Sequence, residues 1–209
     1  MTHLYYPALL IGLIVGTYWA RVLKMVLKQR RQTGRDANFV PREAIGRVLR
    51  IIWYPVVVLW VVHPLVSAWW WADAPRVLTP LHPLPWLAWT GVVVAALALA
   101  ATWVCWRRMG KSWRMGIDPD EKTQLIFTGP YAYVRHPIYA LSSLLMLATL
   151  AAVPTPLMVV LAVMHLLFLQ WEASREEKYL VATHGEAYAA YRSRVGRFLP
   201  RSFGAYRAL

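Results

Sequence analysis

The chain has 209 residues, of which 58% are hydrophobic and only 16% charged, with 23 Lys+Arg against 10 Asp+Glu and a formal charge of +13. An ordinary soluble domain carries roughly a quarter charged residues, and a disordered chain has far less apolar mass, so both classes are excluded. Cys105 is the only cysteine, and the histidines are scattered, which removes a disulfide framework and a clustered metal site.

The apolar residues fall in long blocks. Predicted spans cover residues 5–22, 51–72 and 86–106. Each is long enough to cross a hydrocarbon core of about 30 Å at about 1.5 Å per residue. Gly12 and Gly16 form a GxxxG pattern in the first span, suited to close packing on another span of the same chain. Residues 30–46 are polar and read as a loop or surface helix. Predicted spans four and five, residues 138–153 and 157–171, are shorter, at about 24 Å each. Val153-Pro154-Thr155-Pro156 joins them, and two prolines one residue apart favour a tight turn, so the pair reads as a helical hairpin. The fifth span runs on into a helix from Glu172, which Gly185 breaks or caps ahead of a short helix bearing Tyr188 and Tyr191. The tail from Ser202 carries no interpretable signal.

Every Lys and Arg except Arg76 lies in 21–50, 107–136 or 172–209. These segments alternate with the five spans, which puts the N-terminus outside and the C-terminus in the cytoplasm. A nucleic-acid binder would not partition its charge in this way, so no nucleic-acid partner is expected. Trp69, Trp70, Trp71, Trp86 and Trp89 would form an outer aromatic belt, and Trp53, Trp103, Trp106 and Trp113 an inner one. The positive charge follows the first apolar stretch, unlike a cleaved signal peptide. Short loops suit a bacterial inner membrane. The fold class is all-α: an integral membrane helical protein of about five transmembrane helices with a cytoplasmic C-terminal helical segment, a single domain over 1–209.

Polar chemistry has two places to sit. The first runs from Met109-Gly110-Lys111-Ser112-Trp113-Arg114 through the acidic run 118–121 to Gly129-Pro130-Tyr131 and Val134-Arg135-His136-Pro137-Ile138-Tyr139. Pro137 suits the first turn of a helix, which puts Arg135 and His136 at the N-terminus of span four. Free N–H groups and a partial positive charge there suit an anionic ligand. The alternative has Arg135 reaching lipid phosphate and Tyr131, Tyr133 and Tyr139 lining the interface. In the second segment Glu172, Arg175 and Glu176 share a helix face, with Glu177 beside them. Clustered acids at a membrane edge are costly unless paired or bound. The alternative is a solvated face of ion pairs.

At these segments the chain resembles a known family. Gly129-Pro130-Tyr131, Val134-Arg135-His136-Pro137 and Tyr139 resemble the first signature of the isoprenylcysteine carboxyl methyltransferases and their bacterial relatives. Glu176-Glu177, Leu180, Gly185, Tyr188, Tyr191, Val195, Arg197-Phe198 and Pro200 resemble the C-terminal signature, and the Glu-Glu pair is similar to that of phospholipid methyltransferases. His184 stands where an aromatic residue, usually Phe, precedes the glycine. The resemblance implies an integral membrane methyltransferase that uses S-adenosylmethionine, with the cofactor entering from the cytoplasm and a lipophilic small-molecule or lipid substrate from the bilayer. It implies a cofactor-binding region over 107–139 and 172–200, with Tyr131, Arg135, His136, Pro137, Tyr139, Glu176 and Glu177 at the cofactor. The family often carries an Arg three residues before the Glu-Glu pair, near the reacting centre, and this chain departs from that, with Glu172 four residues ahead of Glu176. Arg175 is the nearest here, so Arg175, Glu172 and Glu176 are the catalytic candidates. No resident metal is implied. Acceptors left open are an isoprenylcysteine-like carboxylate, a phospholipid amine, and a small thiol or lipid. A sterol-type reductase using NADPH and a non-enzymatic scaffold are the competing readings.

Overall fold

A computed structural model describes residues 4–34, 37–41, 43–70, 75–81, 84–110, 113–116 and 125–207. Trp71, Lys111, Ser112 and the acidic run 118–121 lie outside them. The described residues form an all-helical protein without strands: α1 (Tyr6–Thr33), α2 (Ala44–Trp69), α3 (Pro85–Met109), α4 (Pro137–Ala152) and α5 (Pro156–Arg194).

α1, α2, α3 and α5 are long and apolar enough to cross a membrane, whereas α4 has only 16 residues. Pro lies in the first turn of α1, α3, α4 and α5, where its missing N–H costs nothing. α1 runs well past the predicted end of its span and stops at Gly34, whose φ of 72° suits only a glycine-like cap. Arg30 and Arg31 in its last turn oppose the helix dipole. The predicted hairpin is present, and Thr155 starts its second arm by accepting a 3.1 Å bond from the Met158 N–H. α5 carries the chain out of the apolar stretch in one piece until Gly185, where φ 52° and ψ −129° break the helical path.

Close approaches occur where glycine removes a side chain. A Cβ on Gly12 would stand 2.5 Å from Leu65 Cδ2, so α1 lies against α2 there. A Cβ on Gly91 would stand 2.6 Å from the Ala148 carbonyl oxygen, so α3 meets the backbone of α4. Ile11, Val15, Trp60, Leu145, Met146 and Met158 fill the centre. Two polar contacts cross the interior: Trp60 Nε1 donates to Thr149 Oγ1 at 2.9 Å, and His63 Nε2 lies 2.7 Å from Thr155 Oγ1.

The outer belt is exposed at Trp69, Trp70, Trp86 and Trp89. The expected inner belt differs. Trp53, Trp106 and Trp113 are buried in the bundle rather than placed at the interface. Trp106 and Trp53 pack on aromatic residues of α1, with Tyr18 and Trp106 ring centroids 5.1 Å apart and Trp19 and Trp53 5.3 Å apart. Ring-on-ring packing there takes up apolar area that a lipid interface would otherwise solvate only in part.

Candidate active site

The turn before α4 is held by the C-terminal segment. Gly129 takes φ 64° to start a 3-10 turn over Gly129–Ala132. The Tyr191 hydroxyl donates to the Tyr131 carbonyl at 2.6 Å. The Arg135 N–H donates to Gly196 O at 2.8 Å, and the His136 N–H donates to Arg197 O at 3.0 Å. The tail that shows no signal in the sequence is docked as well. The Tyr206 N–H donates to Ala132 O at 2.9 Å, and its ring packs on Phe127 and Tyr191. Burial raises the Tyr191 phenol well above its ordinary value.

This strap presents one ion-pair cluster. Glu177 is buried, and its Oε1 accepts from Arg135 Nε at 3.0 Å, Arg135 Nη2 at 2.8 Å and Arg197 Nε at 3.0 Å. Arg197 Nη2 donates to Oε2 at 2.7 Å. Burial alone would raise the Glu177 carboxyl, but hydrogen bonds from His136, Arg197 and Arg135 outweigh it and hold the group far below the usual carboxylate range. Arg135 Nη1 also donates to the Arg192 and Val195 carbonyls. Arg135 is thus saturated and buried, which overturns the alternative of reaching lipid phosphate. His136 bridges the glutamates: Nε2 lies 3.2 Å from Glu177 Oε1, and Nδ1 lies 3.6 Å from Glu176 Oε2. The His136 ring stacks on Tyr139 with planes only 2° apart.

A second cluster sits deeper. Glu172 is buried and pairs with Arg50 Nη2 at 2.8 Å and Arg175 Nη2 at 2.8 Å. Arg50 Nη2 also donates to Met115 O at 2.9 Å. Arg175 reaches on to Glu43 and lies over the Trp171 ring. Burial would lower the Arg175 guanidinium, yet Glu172 and Glu43 together raise it. Glu172 is therefore not part of a solvated face. Gly116, with φ 85°, passes over this cluster: a Cβ there would stand 3.1 Å from Glu172 Oε1.

Between the two clusters lies a cleft of about 770 Å³, its open mouth included. Of the residues nominated from the sequence, Tyr131, Arg135, His136, Pro137, Tyr139, Glu172 and Glu176 line it. Glu177 and Arg175 do not: they stand behind His136 and Glu172 and hold them. Arg50, Trp19, Trp106 and Ser142 also line the cleft and were not nominated. Arg50 has a weak signal in the sequence, since it is the last charge before the uncharged second span. Trp53 Nε1 lies 3.2 Å from His165 Nδ1, and Ser142 Oγ lies 3.1 Å from His165 Nε2. An indole N–H can only donate, so His165 Nδ1 accepts, its Nε2 carries the proton, and Ser142 Oγ receives it. Among the described residues no group of three or more His, Cys, Asp or Glu could hold a metal ion.

A helical membrane protein with a largely apolar cleft between two buried ion-pair clusters is the class that fold and site define. Residues 86–187, just under half of the chain, match the family model described as phospholipid methyltransferase. Over that segment the chain is similar to the phospholipid methyltransferase family, part of the isoprenylcysteine- and phospholipid-type group of membrane methyltransferases. The match is to a methyltransferase family rather than to a reductase. No curated protein and no solved structure matches. α1 and α2, which bring Trp19 and Arg50 to the cleft, precede the matched segment.

Proposed function

We propose that this chain transfers a methyl group from S-adenosylmethionine to a lipophilic acceptor held in the cleft between the Glu177 and Glu172 clusters. One observation carries the reading: the first signature, at 129–139, and Glu176 of the second deliver side chains to the same cleft. The residues suit the cofactor. Glu176 lines the cleft with its side chain 30% exposed, which leaves its carboxylate able to meet a cation. Tyr131, Trp113 and Tyr139 offer aromatic surface for adenine or a sulfonium. When bound, S-adenosylmethionine supplies an electrophilic methyl group on a sulfonium centre. The protein's part is to orient both reactants in line and to keep water out. Glu177 and Arg175 serve as positioning residues: one fixes His136, and the other fixes Glu172. A carboxylate acceptor, such as an isoprenylcysteine-like one, needs no general base.

The family description favours a second acceptor, a phospholipid amine. An amine reacts only when neutral, and Glu176 with His136 would then take its proton. With the basic loops cytoplasmic, the cofactor enters from the cytoplasm, the N-terminus lies outside, and a bacterial inner membrane fits.

The test is calorimetric titration of detergent-purified protein with S-adenosylhomocysteine, with NADPH as the parallel ligand. Saturable binding of S-adenosylhomocysteine alone is expected. Binding of NADPH alone by folded protein would overturn the reading. Transfer of labelled methyl from S-adenosylmethionine to carboxylate or phospholipid-amine amphiphiles then separates the two acceptors.

A further inference from the structure

The inner wall of the cleft holds hydrogen-bond donors that no described residue satisfies. Trp19 Nε1, Trp106 Nε1 and Arg50 Nε and Nη1 are buried without a hydrogen-bond partner among the described residues. All three side chains line the cleft. Arg50 is 4% exposed and Trp106 is 4% exposed, so bulk water does not serve them. A buried donor left unpaired costs stability, and a charged one costs more. Glu172 engages only Nη2 of Arg50. Indole and guanidinium N–H groups have no acceptor capacity. The wall thus calls for an acceptor, and the cation within it calls for a negatively charged one. Glu176, which also lines the cleft, supplies the opposite polarity, so one cleft presents both an acidic and a basic pole.

We propose that Trp19, Arg50 and Trp106 form a binding site for a carboxylate inside the cleft. Two sources offer that group: the methyl acceptor and the amino-acid end of the cofactor. Assigning the source rests on the methyltransferase reading; the site itself does not. Two of its three residues, Trp19 and Arg50, precede the segment that matches the family, so this pole is a property of this chain's own first helices.

The experiment uses the full chain in neutral detergent and two pairs of probes. Dodecanoate is compared with methyl dodecanoate, and S-adenosylhomocysteine with its decarboxylated analogue. In at least one pair the carboxylate should bind about tenfold more tightly than its neutralised partner. R50Q should abolish that preference, and W19F and W106F should each reduce it a few-fold. The Phe variants keep an aromatic ring, remove the indole N–H and leave the Arg50–Glu172 pair in place, so they remain informative if R50Q fails to fold. Loss confined to dodecanoate assigns the carboxylate to the acceptor, and loss confined to S-adenosylhomocysteine assigns it to the cofactor. The proposal is overturned if wild type prefers neither carboxylate, or if folded W19F and W106F bind both as wild type does. Wild type that ignores S-adenosylhomocysteine would sink the cofactor reading, while the dodecanoate pair still decides the site.

Discussion

Arg50 and Glu172 are 122 positions apart in the chain and 2.8 Å apart in space, both shut off from solvent. The pair ties α2 to α5 beneath the cleft. Removing one partner strands the other charge in the interior, which costs about 3–5 kcal/mol. Glu172→Leu alone should therefore melt well below wild type. Arg50→Met combined with Glu172→Leu should recover much of the loss, because a matched apolar pair leaves no orphan charge. Thermal melts of the two single variants and the double variant, arranged as a cycle, measure this.

Adjacent glutamates should behave differently. Glu176 lies partly exposed at the cleft, while Glu177 is buried behind it. Glu176→Gln should leave the melting temperature nearly unchanged and weaken S-adenosylhomocysteine binding about tenfold, as loss of a charged contact does. Glu177→Gln should lower the melting temperature itself. Equal stability losses in both variants would contradict the division.

The Glu177 carboxyl also sets a pH response. Its folded value lies far below the ordinary 4.5. A group depressed in the folded state contributes stability that is fully present above its unfolded value and is lost as pH falls toward the folded one. Melting temperature in detergent should thus fall as pH drops below about 4.5. Glu177→Gln should flatten part of that fall, which a pH series of melts would reveal.

Glycines at helix contacts should rank by what they face. Gly91 meets backbone atoms of α4, which cannot move aside, whereas Gly12 meets the end of the Leu65 side chain, which can. Gly91→Ala should cost about 1–3 kcal/mol, the range for overpacking, and Gly12→Ala less. Melting of the two variants side by side decides the order.

Much of the bundle was legible because its signals are local. Apolar runs, a Pro-x-Pro turn and a glycine stop gave four long helices, the hairpin and the break at Gly185. The motif segments pointed to Glu172, Glu176 and His136, which do meet at one cleft. What was not legible depends on contacts between distant stretches. Arg50 reads as an ordinary basic residue at the edge of a span until α5 brings Glu172 against it. Trp53 and Trp106 read as interface anchors because composition alone does not distinguish a tryptophan facing lipid from one facing another ring. Tyr206 lies in a tail without periodicity, and only the fold brings its partners Ala132, Phe127 and Tyr191 to it.

The strap from Gly196 and Arg197 to the backbone of Arg135 and His136 also orders events in time. All five helices leave the ribosome before residue 196 does. The bundle is thus free to insert and pack while the rim of its cleft is still missing. The rim of the cleft is complete only when the stretch from Gly196 folds back onto a turn that precedes it in the chain by some sixty positions.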